Sequence, residues 1–227
     1  PRTEAKPEAK AEEFEDGRSY NAAAVSFIRE QWVEQQMKER EDQFTEFRQI
    51  RIFCGTWNVN AKKLEDDESM ASWLLLRNSG PVDIFTVAFQ EIVDLNAVNV
   101  AVDSKSQQRS AYWNEKVKSC LEEAGPSYRL LYERHLVGML LLVFVRTELQ
   151  PFVRDVHGNA VGVGVMGVLG NKGAVSCRLR VHDSTVCFVC AHLAAHRDNV
   201  AGRNSDVHNI LAKTAFAIAP PRVAAAA

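Results

Sequence analysis

Three polar residues each close an apolar run in this sequence, and their types suit divalent-cation and phosphate chemistry. Asn58 ends RIFCGTWN, Glu91 ends DIFTVAFQE and His192 ends TVCFVCAH. Each run has the length and composition of a buried strand, so each polar residue stands where a strand leaves the core. A carboxylate and an amide oxygen meeting there would suit Mg²⁺, a hard ion that takes oxygen ligands and keeps several waters. An imidazole at the same edge could donate to a phosphate oxygen. Taken singly, each has a plainer reading, since a strand-terminal asparagine is commonly a turn former. The chemistry requires the three strand ends to share one rim.

A fourth candidate is the glycine-rich stretch 162–176, GVGVMGVLGNKGAVS. Gly162, Gly164 and Gly167 spell G-x-G-x-x-G, and Asp183 lies about 20 residues on, as in dinucleotide-binding loops. That reading needs a helix to open at the third glycine. Instead Gly170 and Gly173 follow, and then Val175, Cys177, Leu179 and Val181 alternate with Ser176, Arg178 and Arg180 in a strand period. A Walker A loop is excluded too, because Lys172 follows Asn171 and precedes Gly173. What remains is a loop between strands whose backbone can approach a phosphate, with Lys172 either a point charge toward it or a solvated lysine.

The elements that must position these groups fit an α/β chain. The 227 residues are 46% hydrophobic, enough for one domain with a core, and the net charge of −2 argues against a protein that coats nucleic acid. The longest apolar run, Leu136 to Val145, is too short to span a bilayer, and no signal peptide is evident. The five scattered cysteines read as reduced thiols of a cytosolic protein, Cys187 and Cys190 as packed core thiols of a strand.

Residues 1–20 have the composition of a disordered charged tail, and Ala22 to about Gln49 reads as a charged helix with a sparse stripe of Val25, Ile28, Trp32, Phe44 and Phe47. Strands follow at 51–58 and 84–89, with a helix opened by Asp66-Asp67-Glu68 between them. Trp113, Val117 and Leu121 mark another helix. Strands at 128–136 and 139–146, a hairpin of 174–181 and 185–191, and a helix from Asp198 to Leu211 complete the pattern.

The words RIFCGTWNVN, DIFTVAFQEIVDLN, HLVGMLLLVFV, VGVGVMGVLGNKGAVSCRL and FVCAHLAAHRDNVAGRN, in that order, resemble the catalytic domain of inositol polyphosphate 5-phosphatases, within the DNase I-like endonuclease/exonuclease/phosphatase superfamily. The resemblance runs from about Arg51 to Ile210, and the helix before Arg51 is similar to the family's lead-in. It implies a four-layer α/β sandwich with two facing mixed sheets. It also implies Mg²⁺-dependent removal of the 5-phosphate from phosphoinositide headgroups or soluble inositol phosphates, in the cytoplasm or at the cytosolic face of a membrane. On this resemblance Glu91 binds the ion, Asn58 helps to hold it or its water, and His192 contacts the scissile phosphate. Asn171 and Lys172 lie in the substrate-facing loop. His196, Arg203 and Asn204 match the HLAAH and RN words, as site or supporting groups or as plain helix-surface residues. A DNA-cleaving relative fits GNKG and HLAAH poorly.

Two family words are missing: a Gly-Asp-Leu-Asn-Tyr-Arg strand end, whose Asp is the base toward the attacking water, and a Ser-Trp-Cys-Asp-Arg-Ile segment with a terminal histidine. Asp94-Leu95-Asn96 resembles part of the first but follows Glu91 by only three residues, so it is not that base. After Ile210 the text LAKTAFAIAPPRVAAAA matches no family word. The expectation is an interrupted gene product, with residues 21–49 as lead-in, 50–210 as the N-terminal portion of the domain and 211–227 as a divergent tail. Such a chain is expected to be inactive alone, or to be a non-catalytic phosphoinositide-binding remnant.

Overall fold

The computed structural model describes residues 12–13, 19–20, 22–65, 68–75, 80–95, 101–164 and 170–217. It divides into two units, residues 1–49 and residues 50–227. Most of the 1–20 tail, Asp66 and Asp67 at the proposed helix start, Gly167, and residues 218–227 of the Ala-rich end lie outside the described residues.

In the first unit a two-residue antiparallel pair, β1 (Glu12–Glu13) and β2 (Ser19–Tyr20), precedes helix α1 (Ala22–Glu39). The helix ends ten residues earlier than its sequence suggests, and only a 3₁₀ turn, Glu41–Gln43, follows. Glu41 and Asp42 just past the last turn oppose the helix dipole, only partly offset by Lys38 and Arg40. Phe44 and Phe47 fall outside the helix. Side-chain bonds one turn apart, Ser26 to Glu30 at 3.1 Å and Gln35 to Glu39 at 2.9 Å, support α1, while Phe27, Ile28 and Trp32 are exposed.

The second unit holds a four-stranded mixed sheet and a three-stranded antiparallel one. The first has the order β3 (Ile52–Asn58), β4 (Ile84–Gln90), β6 (Met139–Arg146), β5 (Tyr128–Leu136), with β3 parallel to β4 and the other pairs antiparallel. The second runs β7 (Val153–Gly162), β8 (Gly173–Val181), β9 (Ser184–His192). Helices α2 (Ala71–Leu74), α3 (Ala101–Glu122) and α4 (Val200–Lys213) complete the unit.

Strand alternation builds the layers. Phe85, Val87 and Phe89 of β4, with Leu140, Leu142 and Phe144 of β6, pack against Trp113, Val117 and Leu121 of α3. The opposite face of the same strands offers Ile84, Ala88, Leu141, Val143 and Val145 to Val175, Cys177, Leu179 and Val181 of β8. On the far side of the second sheet, Val161 and Ala174 meet Ile210 of α4. The order helix, sheet, sheet, helix is the expected four-layer sandwich, and β4, buried along its whole length, lies at its centre.

Two details depart from expectation. Strand β7 was not anticipated, because a bulge between Arg154 and His157, with Asp155 at φ 53°, breaks its alternation. The two cysteines of C-x-x-C, three residues apart, occupy opposite faces of β9. Cys190 is buried as expected, but Cys187 is exposed on the outer face, opposite Arg178. All five thiols are free, and burial pushes Cys177 up to about 12.

Leu141, 1% exposed between the sheets, and Phe47, 76% exposed, give opposite expectations. In urea unfolding, Leu141→Ala should cost about 2–5 kcal/mol and Phe47→Ala no more than about 0.5 kcal/mol. Equal losses would contradict the layering.

Candidate active site

The three strand-end residues converge. Parallel pairing sets Asn58 at the end of β3 beside Gln90 at the end of β4, and Glu91 follows directly. Strand β9 reaches the same end from the second sheet. Gln90 bridges the sheets there, its Nε2 donating to Thr56 Oγ1 at 3.0 Å and to Cys190 Sγ at 3.4 Å. Asn58 Nδ2 donates to Glu91 Oε1 at 3.0 Å, and His192 Nε2 stands 3.4 Å from the same oxygen.

Glu91 leaves β4 with φ 54°, a left-handed conformation that costs a non-glycine residue about 1–3 kcal/mol and turns its side chain out of the strand direction. Neighbouring backbone holds it. Ala61 N–H donates to Glu91 O at 2.6 Å, and Ile92 N–H donates to Gly138 O at 3.0 Å. Gly138 at the β5–β6 turn packs closely beside it, since a Cβ there would press on the end of the Leu95 side chain at 2.8 Å and touch Glu91 Cα at 3.5 Å.

The glycine-rich loop joins β7 to β8. It closes at the Gly162–Gly173 pair and at Val163 N–H to Lys172 O, 2.8 Å. Gly173 has φ 149°, and a Cβ there would strike the Val161 carbonyl oxygen. A strand therefore follows these glycines where a dinucleotide loop would need a helix.

This closure brings Lys172 Nζ to 2.7 Å from His192 Nε2. Of the two contacts at Nε2, the shorter one decides the tautomer. A charged Lys172 can only donate, so against it Nε2 accepts and the ring proton belongs on Nδ1, a buried atom with no hydrogen-bond partner. Burial, and then the Lys172 charge, hold the His192 pKa below its ordinary value against the pull of Glu91. Burial also lowers Lys172, while Glu91 and Asp206 draw it back up. The pH sign follows from the depressed histidine: as pH falls through its ordinary value of 6.5 the unfolded chain takes the proton first, and stability declines.

A cleft of about 440 Å³ opens beside this cluster, lined by Asn60, Glu91, Asp94, Asn171 and Lys172 among others. Asn171 Oδ1 is buried there without a hydrogen-bond partner. Glu91, Asp94 and the unsatisfied Asn171 oxygen thus line one cleft as hard oxygen donors, beside the Lys172 ammonium. Such a set fits Mg²⁺ or Ca²⁺ with waters and substrate oxygens completing the shell. Among the described residues no group of three or more His, Cys, Asp and Glu could cage a metal by itself. A larger groove, about 730 Å³ between α3 and β5, offers less, because Lys118 there is shared between Glu115 and Glu122.

Asn58, expected to help hold the ion or its water, donates its amide N–H to Glu91 Oε1, and its oxygen accepts from Asn60 N–H at 3.0 Å. Arg203 donates to the carbonyls of His196 and Arg197 at 2.6 and 2.9 Å, pinning the turn before α4. His196, at φ 74°, and Asn204 are exposed. Sequence reasoning missed Gln90 and also Asp206, whose Oδ2 accepts from Ala194 N–H at 2.8 Å and ties α4 to the segment after His192. The one signal for Asp206 was an acid on the helix following HLAAH.

This α/β/β/α architecture, with its polar cluster at the strand ends, is DNase I-like. The chain belongs to the endonuclease/exonuclease/phosphatase family 2, which it matches over residues 55–225. It is 37% identical over 196 residues to synaptojanin-2 of Rattus norvegicus, a match covering 79% of this chain and 13% of that protein. It is also 37% identical over 187 residues to type IV inositol polyphosphate 5-phosphatase 9 of Arabidopsis thaliana, covering 73% and 44%. A solved inositol polyphosphate 5-phosphatase domain of SPsynaptojanin, in complex with inositol (1,4)-bisphosphate and calcium ion, superposes with a TM-score of 0.68 at 31% identity. That match covers 82% of this chain and 53% of the domain, so the chain spans about half of the solved domain and less than half of these curated relatives.

Lys172→Ala is expected to raise the His192 pKa toward its ordinary value by removing one of its two depressing causes, and to release Nε2 to face Glu91 as a donor. Imidazole ¹⁵N spectra followed against pH report both changes. An unmoved titration and tautomer would contradict the Lys172–His192 contact.

Proposed function

We propose that this chain carries the cation- and phosphate-holding part of an inositol polyphosphate 5-phosphatase, removing the 5-phosphate from phosphoinositides or soluble inositol polyphosphates. The supporting observation is the meeting of Asn58, Glu91, Lys172 and His192 at the ends of strands from two sheets, in a chain homologous to such phosphatases. Inositol (1,4)-bisphosphate in the related solved domain supports the substrate class. The cofactor in this reading is Mg²⁺, held by Glu91 and supplying Lewis-acid polarisation of a phosphoryl oxygen.

The chain's own residues bind and orient. Asn58 keeps the Glu91 carboxylate turned to the cleft. Lys172 exchanges its histidine partner for a phosphate oxygen, a charge-assisted bond stronger than the one it leaves. His192, freed at Nε2 and carrying its ring proton there once the lysine has left, donates to the same phosphate and stabilises the charge that grows as the bond from phosphorus to the ring oxygen breaks. Asn171 and its loop backbone contact the inositol phosphates. The substrate is reached in the cytoplasm or from a membrane surface; no helix among the described residues is long and apolar enough to cross a bilayer.

One observation favours a second reading, a phosphoinositide-binding protein without turnover. The family word that carries the base toward the attacking water, Gly-Asp-Leu-Asn-Tyr-Arg, is not found in these 227 residues. A missing general base costs about 10²–10⁴-fold in rate.

Calorimetry of inositol 1,4-bisphosphate with the 227-residue chain tests the site. Binding should require Mg²⁺, be largely lost in Glu91→Gln whether or not Mg²⁺ is added, and weaken by roughly ten- to a hundredfold in Lys172→Ala. Indifference to both substitutions would overturn the assignment. Phosphate release from phosphatidylinositol 4,5-bisphosphate, abolished by Glu91→Gln, selects the enzyme, and binding without release selects the second reading.

A further inference from the structure

Asn58 donates to Glu91 while its own oxygen accepts from Asn60 N–H, and Asn60 belongs to a strained turn. Asn60 and Ala61 both have positive φ, 47° and 55°, and Lys62 N–H donates to Val59 O at 2.9 Å. Two consecutive left-handed residues closed by that bond are a type I′ turn. Such turns favour asparagine or glycine at both central positions, and Ala61 carries a Cβ that left-handed backbone disfavours. The turn also supplies the Ala61 N–H that holds the Glu91 carbonyl.

Something must keep this turn from relaxing, and helix α3 provides it. Arg109 Nη2 donates to Ala61 O at 2.8 Å and Nη1 to Lys62 O at 3.5 Å. One helical turn on, Tyr112 Oη accepts from Leu64 N–H at 3.0 Å and fixes the exit of the same segment. The guanidinium is half-buried and its planar fork matches two successive carbonyls, which a lysine ammonium would not.

We infer that Arg109 is a positioning residue for the cation site: its grip on the 59–62 turn sets the amide of Asn58, and through it the Glu91 carboxylate. The inference rests on the functional reading above for the ion, but not for the geometry. Arg109 itself reaches neither cation nor substrate and acts only through the turn.

The test uses the 227-residue chain with two readouts: hydrogen exchange at the Asn58 side-chain amide and the Asn60 backbone amide by NMR, and Mn²⁺ affinity by calorimetry. Arg109→Ala should speed both exchange rates by about tenfold. It should weaken Mn²⁺ by roughly 10–100-fold, the usual cost of losing a supporting partner of a metal ligand. Arg109→Lys, keeping one donor, should fall between. Arg109→Ala with Ala61→Gly should recover most of both losses, because glycine holds the turn without the clasp; general destabilisation would not be repaired this way. Unchanged Asn58 and Asn60 exchange in Arg109→Ala, or no recovery in the double variant, overturns the inference. A wild-type chain that binds no Mn²⁺ refutes the functional reading, and exchange then still decides the role of Arg109.

Discussion

A single carboxylate held in an unfavourable backbone conformation is the constraint around which the second unit is arranged. Glu91 leaves the buried central strand with positive φ and accepts on one side-chain oxygen from Asn58. Left to itself the residue would relax into extended backbone and point elsewhere. It is kept in place from three directions: the Ala61 N–H, the β5–β6 turn at Gly138, and the Asn58 amide. Strain of this kind persists only where the surroundings over-determine it.

That rigidity comes from the layers. Because β4 is buried on both faces, α3 and the second sheet fix its end from opposite sides, and Gln90 adds a polar tie to β9 within the core. Residues from β3, from the end of β4, from the glycine loop and from β9 can then meet within hydrogen-bonding distance. Sites built on strand ends in this way are more precise than sites carried by loops alone. The charge pattern suits an anionic guest: Lys172 rests on a neutral imidazole, a weaker partner than a phosphate.

Much of this was legible in the sequence, because apolar runs such as DIFTVAF and MLLLVFV can hardly be anything but buried strands, and a polar residue at their ends must emerge at a sheet edge. Strands Tyr128–Leu136 and Met139–Arg146 fell where their composition put them. Strand β7 was hidden by its bulge, and the end of α1 by a polar segment whose composition stays helical past Glu39. The orientation of Asn58 was out of reach, since it depends on the backbone of Asn60. So was Arg109, which meets its carbonyl partners across separations of 48 and 47 residues with no periodic signal. Long-range polar contacts depend on how elements pack, and local pattern does not encode that.

The most direct measurement is where a paramagnetic ion sits. Adding Mn²⁺ with inositol 1,4-bisphosphate to the ¹⁵N-labelled chain should broaden amide signals around Asn58, Glu91, Asn171, Lys172 and His192, and leave those of the groove between α3 and β5 sharp. Broadening centred on that groove, or amides near Glu91 that stay sharp at saturating ion, would contradict a shared cation and phosphate site at these strand ends.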